Sequence, residues 1–155
     1  MKLFFQILSL LFVCLISINS KGEVTEITEL NFGTIAIASN NTHSQIIVRY
    51  SGEYEYNGNI YQISPPSPAE FLITNHPTNT VIFITKSNIQ TTTNSQFFSG
   101  DQFTLQDIDL PNSVVTDANG SASFFVGGTL QTSGSGSNRY TDTKYFLQYS
   151  IDLNY

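Results

Sequence analysis

The sequence predicts an all-β protein: a single immunoglobulin-like β-sandwich of mainly antiparallel strands, following an N-terminal secretory signal. Three observations predict it. Short β-branched and aromatic runs recur between Gly, Pro and Asn turns, no segment after residue 22 sustains a helical repeat, and residues 145–155 alternate apolar with polar. Strands spaced this way build sandwiches, because each has one apolar face to bury against another sheet.

The chain opens with Lys2 ahead of an apolar run at residues 3–18, then turns small and polar at Asn19 and Ser20. That order is a signal peptide, expected over residues 1–22 with cleavage after Ser20 or Gly22, and the run is shorter than the ~20 residues a spanning helix needs. Cys14 follows Leu11, Phe12 and Val13, which are too large for a lipid-attachment box. The expected mature unit, residues 23–155, therefore carries no cysteine. It has no disulfide and no thiolate site, and its stability must come from packing. Its length suits one domain with a two-layer core.

The formal charge of −6 and the low charged fraction of 12% leave Ser, Thr, Asn and Gln to cover the surface. Arg49, Lys86, Arg139 and Lys144 are scattered, so there is no basic patch to neutralise a phosphate backbone and nucleic acid is not an expected partner.

Along the mature chain, residues 45–50 place Ile46, Val48 and Tyr50 on one face of a half-buried strand. Asn57-Gly58 lies between two tyrosine-bearing arms, residues 54–63, and predicts a hairpin turn at that point. Pro65, Pro66 and Pro68 impose a loop or an edge. Residues 71–74 resume a strand, residues 75–79 turn, and the continuous apolar run at residues 80–85 predicts a central strand covered on both faces. Residues 87–100 form a polar tract interrupted by Phe97 and Phe98, read as a loop with one short strand. Residues 103–105 read as a strand, residues 107–112 as the loop after it, and Asp117-Ala118-Asn119-Gly120 as a turn. Gly127-Gly128, inside a strand-like run, predicts a bulge or bend where two backbones come close. Residues 133–137 read as a flexible Ser/Gly link. In the final strand Tyr145, Leu147, Tyr149, Ile151, Leu153 and Tyr155 share one face, and only Phe146 breaks the alternation.

Chemical motifs are sparse. His43 and His76 each lie in a polar turn with no motif partner, where a histidine is ordinarily solvated. No nucleophile elbow, metalloprotease pair, phosphate loop or dinucleotide fingerprint occurs. Asp107 with Asp109, and Glu53 with Glu55, are carboxylates two apart, which share a face on extended backbone. A glycosidase needs two carboxyls across a sugar-sized gap, so these read as solvated acids. Asp117 and Asn119 lack the later ligands of a calcium loop. No catalytic residue, metal site or cofactor is expected. Aromatics are the remaining candidates: Tyr50, Tyr54, Tyr56 and Tyr61 could form a ligand-facing cluster for glycans, although aromatics of β proteins mostly pack. Val24 and Ile27, in the segment that follows the signal, mark a candidate strand-exchange segment, although they do not alternate cleanly.

Three pieces, Leu30-Asn31-Phe32-Gly33-Thr34-Ile35-Ala36, Phe71-Leu72-Ile73-Thr74-Asn75 and Phe125-Val126-Gly127-Gly128-Thr129-Leu130, occur in that order, and together the chain resembles the bacterial domain of unknown function 4402 family. The resemblance covers nearly all of the mature chain. It implies a small exported, fimbria-like β protein of the periplasm, cell surface or extracellular space, with no catalytic residues to carry over. The chain reads Tyr140-Thr141-Asp142-Thr143 where the family tends to have Tyr-x-Gly-Thr. The resulting expectation is a non-enzymatic structural or adhesive surface protein, pilin-like, that associates with itself or with other surface subunits. The alternatives are a glycan- or ligand-binding module and a small outer-membrane barrel; no membrane span is expected in the mature chain.

Overall fold

The computed structural model describes residues 22–87, 91–95, 100–137 and 140–155. The expected signal peptide, apart from Gly22, lies outside the described residues, as do Phe97, Phe98 and Arg139. All regular structure described is β: β1 (Glu23–Thr28), β2 (Thr34–Ile37), β3 (Gln45–Val48), β4 (Tyr54–Asn57), β5 (Ile60–Ser64), β6 (Ala69–Thr74), β7 (Val81–Lys86), β8 (Thr91–Thr92), β9 (Asn94–Ser95), β10 (Thr104–Asp109), β11 (Ser113–Val115), β12 (Ala122–Gln131), β13 (Tyr145–Phe146) and β14 (Ile151–Asn154).

A seven-stranded sheet runs β1-β6-β12-β10-β8, with β3 also on β12 and β4 beyond β3. A three-stranded sheet, β11-β7-β14, and two pairs, β2-β5 and β9-β13, complete a sandwich-like fold in which every pairing is antiparallel. Ile46, Val48, Ile73, Ile82, Leu105 and Val126, from both of the larger sheets, have no exposed surface and meet in one hydrophobic core. Each such side chain contributes roughly 1.5–3 kcal/mol on burial.

The glycine pair acts as the sequence predicts. The first half of β12 (Ala122 to Val126) pairs with β6, and the second half, from Gly127, lies between β10 and β3. A Cβ on Gly127 would sit 2.1 Å from the Val48 carbonyl oxygen, so the strand passes from one pairing environment to the next where only glycine fits.

Five expectations are corrected. The hairpin closes one strand earlier than Asn57-Gly58: β3 pairs with β4 around a turn in which Arg49 N donates to Glu53 O (2.7 Å), so Tyr50 leaves the strand and is exposed. Gly58 does turn with a positive φ of 86°, but β5 goes on to pair with β2. Ser44, just before β3, packs against this turn: its Oγ accepts from Asn59 N at 2.9 Å and lies close enough to exclude a Cβ on Gly58. Next, β7 is central in its sheet but covered on one face only. Ile82 and Ile84 are buried, while Val81 and Phe83 are 44% and 57% exposed.

Third, β10 continues to Asp109, because a bulge between Leu105 and Asp107 resets the alternation and buries Ile108. Fourth, the Ser/Gly link is tied down. Fully buried Asn40 donates from Nδ2 to Ser133 Oγ (2.8 Å) and Ser137 O (2.8 Å), and its Oδ1 accepts from Gly134 N (3.0 Å). Fifth, the final alternation holds in burial through Leu153, yet its ladder is split, with β13 on β9 and β14 on β7, and Tyr155 is 77% exposed.

Candidate functional site

The candidate residues for acid–base work occupy separate places, and most have a structural partner. His76 is buried, contrary to the solvated reading. Its ring meets Tyr155 edge-on at 4.7 Å between centroids, and Gly22 lies so close that a Cβ there would overlap the imidazole. His43 is exposed, with Nδ1 2.9 Å from the Thr132 carbonyl. Asp107 pairs with Lys86, whereas Asp109 Oδ2 accepts from Tyr50 N at 3.0 Å, so the two carboxylates serve different elements. Glu55 meets Arg49 at 3.9 Å across the β3–β4 hairpin. Asp117 caps its own turn. Its Oδ1 accepts from Asn119 N and Ser121 N at 2.8 and 2.9 Å, and these bonds, Ser121's foremost, hold the carboxyl below the usual range. Among the described residues no three His, Cys, Asp or Glu side chains are grouped to hold a metal.

The four tyrosines do not form one cluster. Tyr54 and Tyr56 are neighbours on β4, with ring centroids 6.0 Å apart in an edge-to-face arrangement. They sit opposite Val48 and Ile46, and residues directly opposite in an antiparallel ladder share a face. Tyr56 thus packs onto the core with its hydroxyl buried and unpaired; burial first, and the neighbouring Tyr54 second, push its pKa up. Tyr50 is in the hairpin turn, and Tyr61 stands on β5 opposite Ala36, in another sheet.

The sheet surfaces offer more. On the outer face of the three-stranded sheet, Val81 lies opposite Val115, and Phe83 lies beside Ser113 and Asn154; all three apolar side chains are exposed. Next to this stripe, Leu72, Val115, Asp117 and Ser123 help to line an open cleft of about 470 Å³. At the edge of the large sheet, β1 is paired along β6 while all six of its side chains remain exposed, Val24 at 43% and Ile27 at 51%. The stripe was missed in the sequence because its continuous apolar run reads as two-sided burial; only the placement of β7 shows an open face.

Beneath β1 lies Tyr149. Its hydroxyl is buried without a partner of normal hydrogen-bond geometry; burial first, then the charge and hydrogen-bonding pull of the adjacent Glu26 carboxylate, and last the charge of Glu29, push its pKa well above the usual 10.0. At the opposite pole of the chemistry, Asn40, Asp101, Ser135 and Ser137 form a hydrogen-bonded cluster that organises the Ser/Gly segment. Nor does the chain need a glycine after Tyr140. Tyr140 Oη accepts from Ser133 N (2.7 Å) and donates to Gln102 O (3.1 Å), and the Tyr145 hydroxyl accepts from Thr141 N (3.0 Å), so two phenols close the bend.

No curated protein and no solved structure gives a significant match to this chain. One family does match, over residues 23–155, a range that takes in every described strand from β1 to β14. The chain belongs to the family described as Domain of unknown function (DUF4402).

Proposed function

We propose that this chain is an exported, non-enzymatic structural or adhesive protein of the bacterial cell surface that works as a pilin-like subunit. The observation that carries the reading is where apolar side chains are displayed: Val81, Phe83 and Val115 on an outer sheet face, and Val24 and Ile27 on an edge strand. A folded protein that presents apolar groups on sheet faces and edges is built for contact with other chains. The candidate acids and histidines lie apart from one another, several of them held in a turn, a hairpin or a ring contact, which adds support for a non-enzymatic role.

The experiment is fractionation of the native cells, with unheated gels of the surface-sheared, periplasmic and outer-membrane fractions. A ladder or a high-mass polymer in the sheared fraction is expected. A soluble periplasmic monomer overturns the subunit reading and turns attention to ligand binding. There, the exposed Tyr54 is the residue to test on a glycan array, with binding lost in Tyr54→Ala. A heat-modifiable band in the outer-membrane fraction would instead favour a barrel, whereas the open sheets and the Ile- and Val-filled interior support a sandwich.

A further inference from the structure

We infer that β1 is an exchangeable strand, and that a second copy of this chain takes it up along β6 in the register which the single chain uses on itself. This rests on the subunit reading above and names its partner.

Four observations carry it. First, β1 is held by its ladder and not by the core. Glu23 pairs with Thr74, Val24 with Ile73, Thr25 with Leu72 and Glu26 with Phe71, yet every β1 side chain is exposed. A strand bound through its main chain finds the same hydrogen bonds on any identical edge, so exchange costs little in contact energy.

Second, the rest of the fold is anchored without it. Only Glu29 and Leu30 separate β1 from Asn31, which exchanges two main-chain bonds with Ser67 (3.0 and 2.8 Å) and precedes the buried Phe32. Leu30 already packs against the core, so exposed Glu29 is the hinge about which residues 23–28 can leave while the sandwich stays closed.

Third, the ladder of β1 is irregular in its own chain: the register slips between Glu26 and Thr28.

Fourth, the outer edge of β1 is defended. Glu23, Glu26 and Glu29 put three exposed acidic residues in and just after this edge strand, and acidic residues in an edge strand resist addition of a further strand. The route to association that remains is replacement of β1 on β6, where these residues keep the neighbours they have in the single chain.

The test uses residues 23–155 and their lack of native cysteine. Thr25→Cys and Leu72→Cys are made in separate chains of different tagged mass and refolded together under oxidising conditions. Directly opposite residues lie within disulfide reach, while a residue two positions along does not. Exchange predicts a mixed Thr25→Cys/Leu72→Cys disulfide about tenfold more abundant than the Thr25→Cys/Glu70→Cys control. The double variant in one chain reports on folding: an intramolecular bond forms, and it holds the protein monomeric under conditions where the unmodified chain associates. If the unmodified chain associates and the double variant associates equally, with no mixed disulfide above control, exchange is overturned and the structural reading stands. If the unmodified chain remains a monomer at high concentration with no mixed disulfide, exchange is again overturned, and the surface-sheared ladder decides the structural reading separately.

Discussion

At the scale of single residues, the tyrosines show how one residue type divides by position. Tyr54 and Tyr61 lie open to solvent, Tyr140 and Tyr145 close a bend, and Tyr56 and Tyr149 bury hydroxyls that have no partner. The phenols of Tyr56, Tyr140 and Tyr149 are all shifted upward, with burial the leading cause. A folded-state pKa above the unfolded value means that stability tied to the neutral phenol is complete below the unfolded value of 10.0 and is lost as pH rises beyond it. The protein is therefore expected to unfold on the alkaline side, and Tyr149→Phe is expected to shift that transition to higher pH. At neutral pH the same variant removes an unsatisfied hydroxyl and is expected to gain about 1 kcal/mol in urea denaturation. A loss of stability would mean that the hydroxyl has a partner in solution. None of this division is legible in spacing, because it depends on which face of which sheet each ring meets.

At the scale of elements, β7 separates what a run of apolar residues says from what it means. Residues 81–84 are Val-Ile-Phe-Ile, and the sequence pattern does not distinguish a strand covered twice from one covered once. In the fold Ile82 and Ile84 face the core, and Val81 and Phe83 face out. Ile82→Ala is accordingly expected to cost about 2–5 kcal/mol through lost burial and a cavity. Phe83→Ala, on the open face, is expected to cost under about 1 kcal/mol while reducing self-association, as read by denaturation and sedimentation. Equal costs for the two would show that the outer face is covered. The β10 extension has the same logic, since one bulged residue flips the alternation and turns an apparent loop into a strand that buries Ile108.

At the scale of the whole molecule, two segments carry most of the connectivity. One is β12, which pairs with β6, β10 and β3 at the centre of the large sheet; the other is the final segment, which pairs first with β9 and then with β7 in two separate sheets. The final segment also packs Tyr145, Leu147, Tyr149, Ile151 and Leu153 against the common core. Removing residues 145–155 is therefore expected to abolish cooperative unfolding in calorimetry, because the three-stranded sheet loses an edge strand and the common core loses five side chains packed against it. A truncated chain that melts in one sharp transition would show that the large sheet folds without its partner. An intact chain dominated by distant antiparallel pairings is also expected to fold slowly, in milliseconds to seconds.

The sequence by itself determined the class of fold, the turns at Asn75, Gly58 and Gly120, the special role of Gly127-Gly128 and the alternating face of the last segment. These are local: a positive φ, a missing Cβ or a period of two is written in adjacent residues. The family signature was equally legible, being carried by short pieces in order. Tertiary structure alone decided which strands pair, that β3 meets β4 in place of β4 meeting β5, that β7 keeps one face open, and that Asn40 reaches across to fix Gly134. Pairing and burial are properties of surfaces brought together from distant parts of the chain, and a strand carries no local mark of the neighbour that will cover it.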